Sequence, residues 1–234
     1  MAVNINTVYQ TVLALANKEQ RGYITPQEFN LFATQAQMSI FEQYFYDLNQ
    51  FSRVPGNNTS YADMTNLLKE KISFFERNDF AVGSGKVLPG NLYKLQQVQW
   101  LNPSKNRYYT VEYVSNKDFL QMQSVSLIKP TDEKLVYTRN NIGITVFGDS
   151  PKQTNVICNF VAKPKDPNWT YVVVDKKALY NPSATDHQNF QLHPSEQTEL
   201  VTRILALAGI TLKDVNLYQV ASNETKSQAQ EQKQ

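Results

Sequence analysis

The sequence has a single cysteine, Cys158, and two histidines, His187 and His193, among 234 residues. One cysteine excludes an intrachain disulfide framework and any cysteine-rich zinc site. Within the apolar run VICNFV it is expected to be a small buried hydrophobe. The two histidines are six residues apart, a spacing that fits no metal motif, and His193 has a sufficient task beside a helix start. Strong charge is also lacking. The formal net charge is +2, too mild to point to nucleic acid or an anionic membrane. No apolar run is long enough to span a bilayer, and the first twenty residues lack the basic region and apolar core of a secretory signal. The chain is therefore expected to stay in the compartment that makes it.

Other chemistry is weakly supported. Gly83-Ser84-Gly85-Lys86 invites a phosphate-loop reading, yet a Walker loop would need glycine where Phe80 stands and Ser or Thr where Val87 stands. No G-x-S-x-G elbow exists, and Ser195 is explained as a first-turn helix residue. No catalytic, cofactor-binding or metal-ligating residue is assigned, and no cofactor is expected. The segment SKNRYYTVEYV sets Lys105 and Arg107 beside Tyr108, Tyr109 and Tyr113, a pattern shared by stacking platforms for single-stranded nucleic acid and by half-buried strands with aromatic cross-strand partners.

What the sequence does contain is a strongly marked helix. Thr25 as N-cap, Pro26 at the first helical position and Glu28 three residues after the cap make a capping box, so a helix is expected to begin at Pro26. Phe29, Phe32, Ala33, Ala36, Ile40, Tyr44 and Phe51 recur at three- and four-residue steps and define a core face. Met38, Phe41, Phe45 and Leu48 widen that face beyond the usual stripe. Tyr46 and Phe51 suit an intersubunit contact as well as they suit packing within the chain.

Helical periodicity also marks residues 4–20, through Ile5, Val8, Tyr9, Val12, Leu15 and Ala16, and a third helix with Met64, Leu68, Ile72 and Phe75 on its face. From Phe80 the period changes to short segments rich in β-branched and aromatic residues, separated by Asn, Gly and Pro turns. Five or six strands in an antiparallel sheet or small barrel are expected there. Near His193 the helical period returns, with Leu200, Val201, Ile204, Leu205 and Ala208 on one face and Gly209 expected to end the helix. The fold class expected is α+β: N- and C-terminal helices forming a bundle, with an antiparallel β-rich domain inserted. Its parts are 1–79 (helices), 80–190 (β-rich insertion), 191–221 (closing helices) and 222–234, a polar tail expected to be mobile until it docks on a partner.

Two stretches, RGYITPQEFNLFATQAQMSIFEQYFYDLNQF and LHPSEQTELVTRILALAGITLKDVNLYQVAS, resemble virion structural proteins of crAss-like and related podovirus-type bacteriophages, specifically neck or tail ring proteins. The resemblance implies a head-to-tail adaptor without enzymatic activity. It implies a dodecameric ring beneath the portal that contacts the portal protein and other tail ring proteins and lines the path of double-stranded DNA. It implies residence in the virion, and in the host cytoplasm during assembly. The interface residues that go with this reading are Tyr46, Phe51, Tyr218, Glu224, Lys226, Glu231 and Lys233. Alternatives are another tail or capsid-associated structural protein, a single-strand nucleic-acid binder using Tyr108 and Tyr109, and, more remotely, a hydrolase.

Overall fold

The computed structural model describes residues 3–18, 24–53, 59–83, 87–152 and 154–211, which form five α-helices, a seven-stranded sheet and a separate two-stranded one. The fold class is mixed α+β. The chain divides into two compact units, one made of residues 1–74 and 164–234 and the other of Phe75–Lys163.

In the first unit, α1 (Ile5–Lys18) is capped by Asn4, whose Oδ1 accepts from the N–H groups of Asn6 and Thr7 at 2.8 and 3.1 Å. Ile5, Val8, Tyr9, Val12 and Ala16 are buried, whereas Leu15, expected on the same face, is largely exposed. The capping box of α2 (Pro26–Arg53) is formed in both directions. The Glu28 carboxylate accepts from Thr25 N–H at 2.9 Å, and Thr25 Oγ1 accepts from Glu28 N–H at 3.3 Å. Those bonds hold the Glu28 carboxyl below its ordinary pKa. Phe29, Ala33, Ala36, Ile40, Phe41 and Tyr44 are buried and Phe51 is half-buried, so the face marked by the sequence is the core face.

Helix α3 (Thr59–Ser73) packs on α2, and α5 (Gln197–Thr211) packs on both α1 and α2. Leu200, Val201, Ile204, Leu205 and Ala208 are all buried. The helix runs through Gly209 instead of ending there. A glycine in a helix interior costs about 1 kcal/mol. That is less than the hydrophobic gain from the apolar side chains the same helix buries. The first unit also holds the hairpin β8 (Tyr171–Val174) and β9 (Lys177–Tyr180). Asp175 and Lys176 at its turn both have positive φ, 47° and 62°.

The second unit is a sheet with strand order β1-β7-β2-β3-β4-β5-β6. Its strands are β1 (Glu76–Val82), β2 (Leu92–Asn102), β3 (Arg107–Tyr113), β4 (Val136–Arg139), β5 (Ile144–Phe147), β6 (Pro151–Lys152) and β7 (Val156–Ala162). The expected wholly antiparallel sheet is corrected at one place, because β3 and β4 are parallel. Helix α4 (Asn116–Ser124) makes the crossover that a parallel pair requires. Ser115 caps it, and Phe119 stacks on Phe147 at 4.1 Å. Strand β1 begins at Glu76, inside the stretch expected to be helical through residue 79. The unit ends at Lys163, where the β-rich region was expected to continue to 190. Core residues Val98, Trp100, Val111, Leu135, Val146, Cys158 and Phe160 fall on one face of the sheet. Cys158 is buried as expected, and burial pushes its thiol up to about 11.

Thr25→Ala should cost about 1 kcal/mol through loss of the cap. Phe41→Ala, which opens a cavity at a fully buried ring, should cost roughly 3 to 5 kcal/mol. Urea unfolding of the two variants checks the ranking.

Candidate functional site

A buried group of ionisable side chains lies where α2, α3 and α5 meet. Lys71 comes from the last turn of α3, Glu196 from the 3₁₀ turn Pro194–Glu196 that leads into α5, Glu199 and Arg203 from α5, and Gln43 and Tyr44 from α2. Their meeting follows from sequence spacing. Glu199 and Arg203 are one helical turn apart and form an i,i+4 ion pair, and His193 caps the turn by accepting from Ser195 N–H, which fixes where Glu196 emerges.

Lys71 Nζ lies 2.6 Å from Glu196 Oε1, and both side chains are almost fully buried. Arg203 also donates to Ser39 and Gln43 of α2. Burial alone would raise the Glu196 carboxyl, but the hydrogen bond and charge of Lys71 outweigh it and hold the group below the ordinary carboxylate range. At Glu199 burial prevails over the attraction of Arg203, and neighbouring Glu196 adds to the upward shift. Burial, then the charges of Glu196 and Glu199, push the Tyr44 phenol far above its usual value. Its hydroxyl makes no hydrogen bond by geometry, although it lies close enough to both carboxylates to feel their charge.

The cavity bordered by Gln43, Tyr44, Asp47, Lys71, Glu196 and Glu199 is about 10 Å³, room for one water molecule and for no organic ligand. Two ion pairs, Lys71–Glu196 and Glu199–Arg203, form here, and buried Asp47 of α2 adds a third carboxylate to the cavity wall. Among the described residues no group of three His, Cys, Asp or Glu side chains could hold a metal ion.

The tyrosines of the candidate stacking platform do not assemble. In β3, Tyr109 packs beside Trp100 on the core face, and Tyr108 stands opposite Leu101 on the other face. Alternation along a strand makes this separation unavoidable. Lys105 pairs with Glu133, the Arg107 guanidinium lies over the Tyr109 ring at 5.7 Å, and Tyr113 packs against Tyr137 at the strand's end. His187 bonds to Tyr180 and His193 caps a helix, so each histidine has a local partner.

Tyr46 is 65% exposed on α2, on a stripe with Leu31, Gln35, Ser39 and Glu42. Tyr218, Glu224, Lys226, Glu231 and Lys233 lie outside the described residues, as do Gly85 and Lys86. Two exposed apolar groups had no signal in the sequence reading. One is the 120–128 segment, where Leu127 is 93% exposed, and the other is the β8–β9 hairpin with Val172, Val173, Val174 and Leu179. The valine run was legible as a strand, but its exposure depends on its having one partner strand only.

No family model matches this chain, and no curated protein matches it in sequence. No helix among the described residues is long and apolar enough to cross a membrane.

Lys71→Met should destabilise the protein by roughly 3 to 5 kcal/mol at about pH 7, since Glu196 becomes a buried unpaired charge. The folded-state pKa of Glu196 is lowered, so its ion pair stabilises above the ordinary carboxylate range, and that stabilisation disappears as pH falls through the lowered value. The gap between variant and parent should therefore narrow toward about pH 4. Urea titrations at both pH values measure it, and an equal gap at both would rule out charge as the cause.

Proposed function

We propose that this chain is a structural virion protein of a bacteriophage: a ring-forming head-to-tail adaptor between portal and distal tail, with its ring lining the DNA channel. In this reading α1, α2, α3 and α5 make one helical bundle and the sheet unit is a domain inserted into its connection. The observation that carries it is the split of the chain itself. A helical unit contributed by both ends of the sequence is interrupted by a self-contained sheet unit. The resemblance of the first and last helical stretches to neck and tail ring proteins supplies the class.

The ion cluster of the helical unit pairs Lys71 with Glu196 and Arg203 with Glu199 beside a one-water cavity, which favours a role in holding shape. Exposed Tyr46, Leu31 and the apolar hairpin supply surface for contacts between subunits or with the portal. Phe51 is half-buried and contributes to such a surface only through its remaining exposed edge. The polar segment 222–234 completes the reading as a docking arm for the portal or a neighbouring subunit. The single-strand binder loses its best feature with the separation of Tyr108 from Tyr109.

Native mass measurement of the purified full chain, alone and with a cognate portal, tests the proposal. A closed assembly near twelve subunits, visible as rings in negative stain, is the expected outcome. A chain that remains monomeric or dimeric even when mixed with portal would overturn it.

A further inference from the structure

The molecule has four sheet edges among its described residues, and three carry features that discourage pairing. Edge strand β1 carries Glu76, Arg77 and Asp79, and a register shift between Arg77 and Phe80 where Asp79 has φ 56°. Edge strand β6 is two residues long and begins with Pro151. Strand β9 presents Lys177. Strand β8, Tyr-Val-Val-Val, has no charge, proline, glycine or bulge, and its three valines are exposed.

The hairpin geometry determines what that edge offers. Val174 and Lys177 flank a two-residue turn and form a pair that exchanges hydrogen bonds, so Val172 with Leu179 is the next such pair. The bond from Asn181 N–H to Thr170 O, 2.9 Å, continues the alternation at the base. It follows that the N–H and C=O groups of Tyr171 and Val173 point away from β9. The base itself is held firmly, because Tyr171 and Tyr180 both stack on buried Trp169 at 5.8 and 5.7 Å.

We propose that the β8 edge is a contact between two copies of this chain, formed by antiparallel β8–β8 pairing about a two-fold axis at Val173. In that register Val173 faces the second copy's Val173 as a hydrogen-bonded pair, using the outward N–H and C=O groups. Val172 and Val174 face each other across the strands, and the pairing ends at Asp175, where a φ of 47° takes the chain into the turn. The edge is complementary to itself in hydrogen bonding and in β-branched pairing and carries no charge that a second copy would repel, which is what selects a second copy over an unrelated strand. A contact of this size is weak and concentration-dependent. The inference goes beyond the adaptor reading and does not rest on it, since a two-fold contact closes as a dimer or joins rings face to face and does not propagate around a ring.

Sedimentation equilibrium of the full chain over a concentration series reads the contact. Val173→Pro removes only an outward-pointing donor and leaves the hairpin's own bonds intact, so the dimer should weaken by at least about tenfold while the intrinsic fluorescence of Trp100 and Trp169 stays unchanged. Val173→Lys and Val173→Glu should each abolish self-association through like charges across the axis, and mixing the two should restore a heterodimer. That rescue keeps the proposal testable if the proline variant folds poorly. A wild-type chain with no two-fold step, or charge variants that associate like wild type and show no rescue, would overturn it. Rings of unchanged subunit number that do not pair face to face would leave the adaptor reading intact and sink this one.

Discussion

Two side-chain amides on the buried face of α2 hold the first unit together. Asn30 and Gln37 are two turns apart, so they lie on the same side of the helix. Asn30 Oδ1 accepts from Trp169 N–H at 2.9 Å, and its Nδ2 donates to Asn168 Oδ1 and to Trp169 O. Gln37 Oε1 accepts from Gln191 N–H at 2.8 Å while its Nε2 donates to Lys165 O at 2.8 Å, and Lys165 N–H in turn donates to Gln191 Oε1. The chain returning from the sheet unit carries Pro164 and Pro167, which cannot donate to a ladder. Helix amides supply partners that the isolated bridges Asn168–Gln188 and Val3–Phe190 leave wanting. Each buried main-chain group left unbonded would cost about 1 to 3 kcal/mol, so the clamps decide whether the segment can be buried at all.

Everything attached to that segment inherits its position. Trp169 is seated between Tyr9 and the Tyr171–Tyr180 pair, with its indole N–H on Asn6 at 3.0 Å, and this seat anchors the projecting hairpin. Phe190 and Leu192, beside Gln191, are fully buried, and Phe190 pairs with Val3. The same return leads into the His193 cap and then to Glu196, which meets Lys71. A polar clamp, an aromatic seat and a buried ion pair follow one another along the chain. The sheet unit, in contrast, is built on apolar alternation, with a half-buried charged reinforcement where Lys152 pairs with Asp132 and lies over Trp100.

The helices were legible because their signals are local. The capping box at Thr25 and Glu28 and the buried faces of α2 and α5 depend on spacing within one element, and each appears where periodicity put it. Strand β1 was hidden because ERNDFAV is a charged, bulged edge that alternates poorly, and its pairing with β7 is long-range. The β8–β9 turn was hidden because Asp-Lys lacks the glycine that usually marks two positive φ values. Asn30 and Gln37 look like ordinary polar positions of an amphipathic helix. Only the path of residues 164–192 makes them core residues, and no local pattern encodes that path. The ion cluster was half visible, since Glu199 and Arg203 are one turn apart whereas Lys71 and Glu196 meet through tertiary packing alone.

The amide clamps make the first unit a platform built on α2 that carries the exposed β8–β9 hairpin. The most direct test of the clamps is residue-resolved amide exchange in Gln37→Leu against the parent chain. The Gln191 amide has the Gln37 carbonyl as its acceptor, so its protection should fall in the variant, with neighbouring amides of the 188–192 segment following. Amides in β2, β3 and β7 of the sheet unit should keep theirs. Undiminished protection at Gln191, or equal loss across both units, would contradict the clamp as the constraint on which the platform depends.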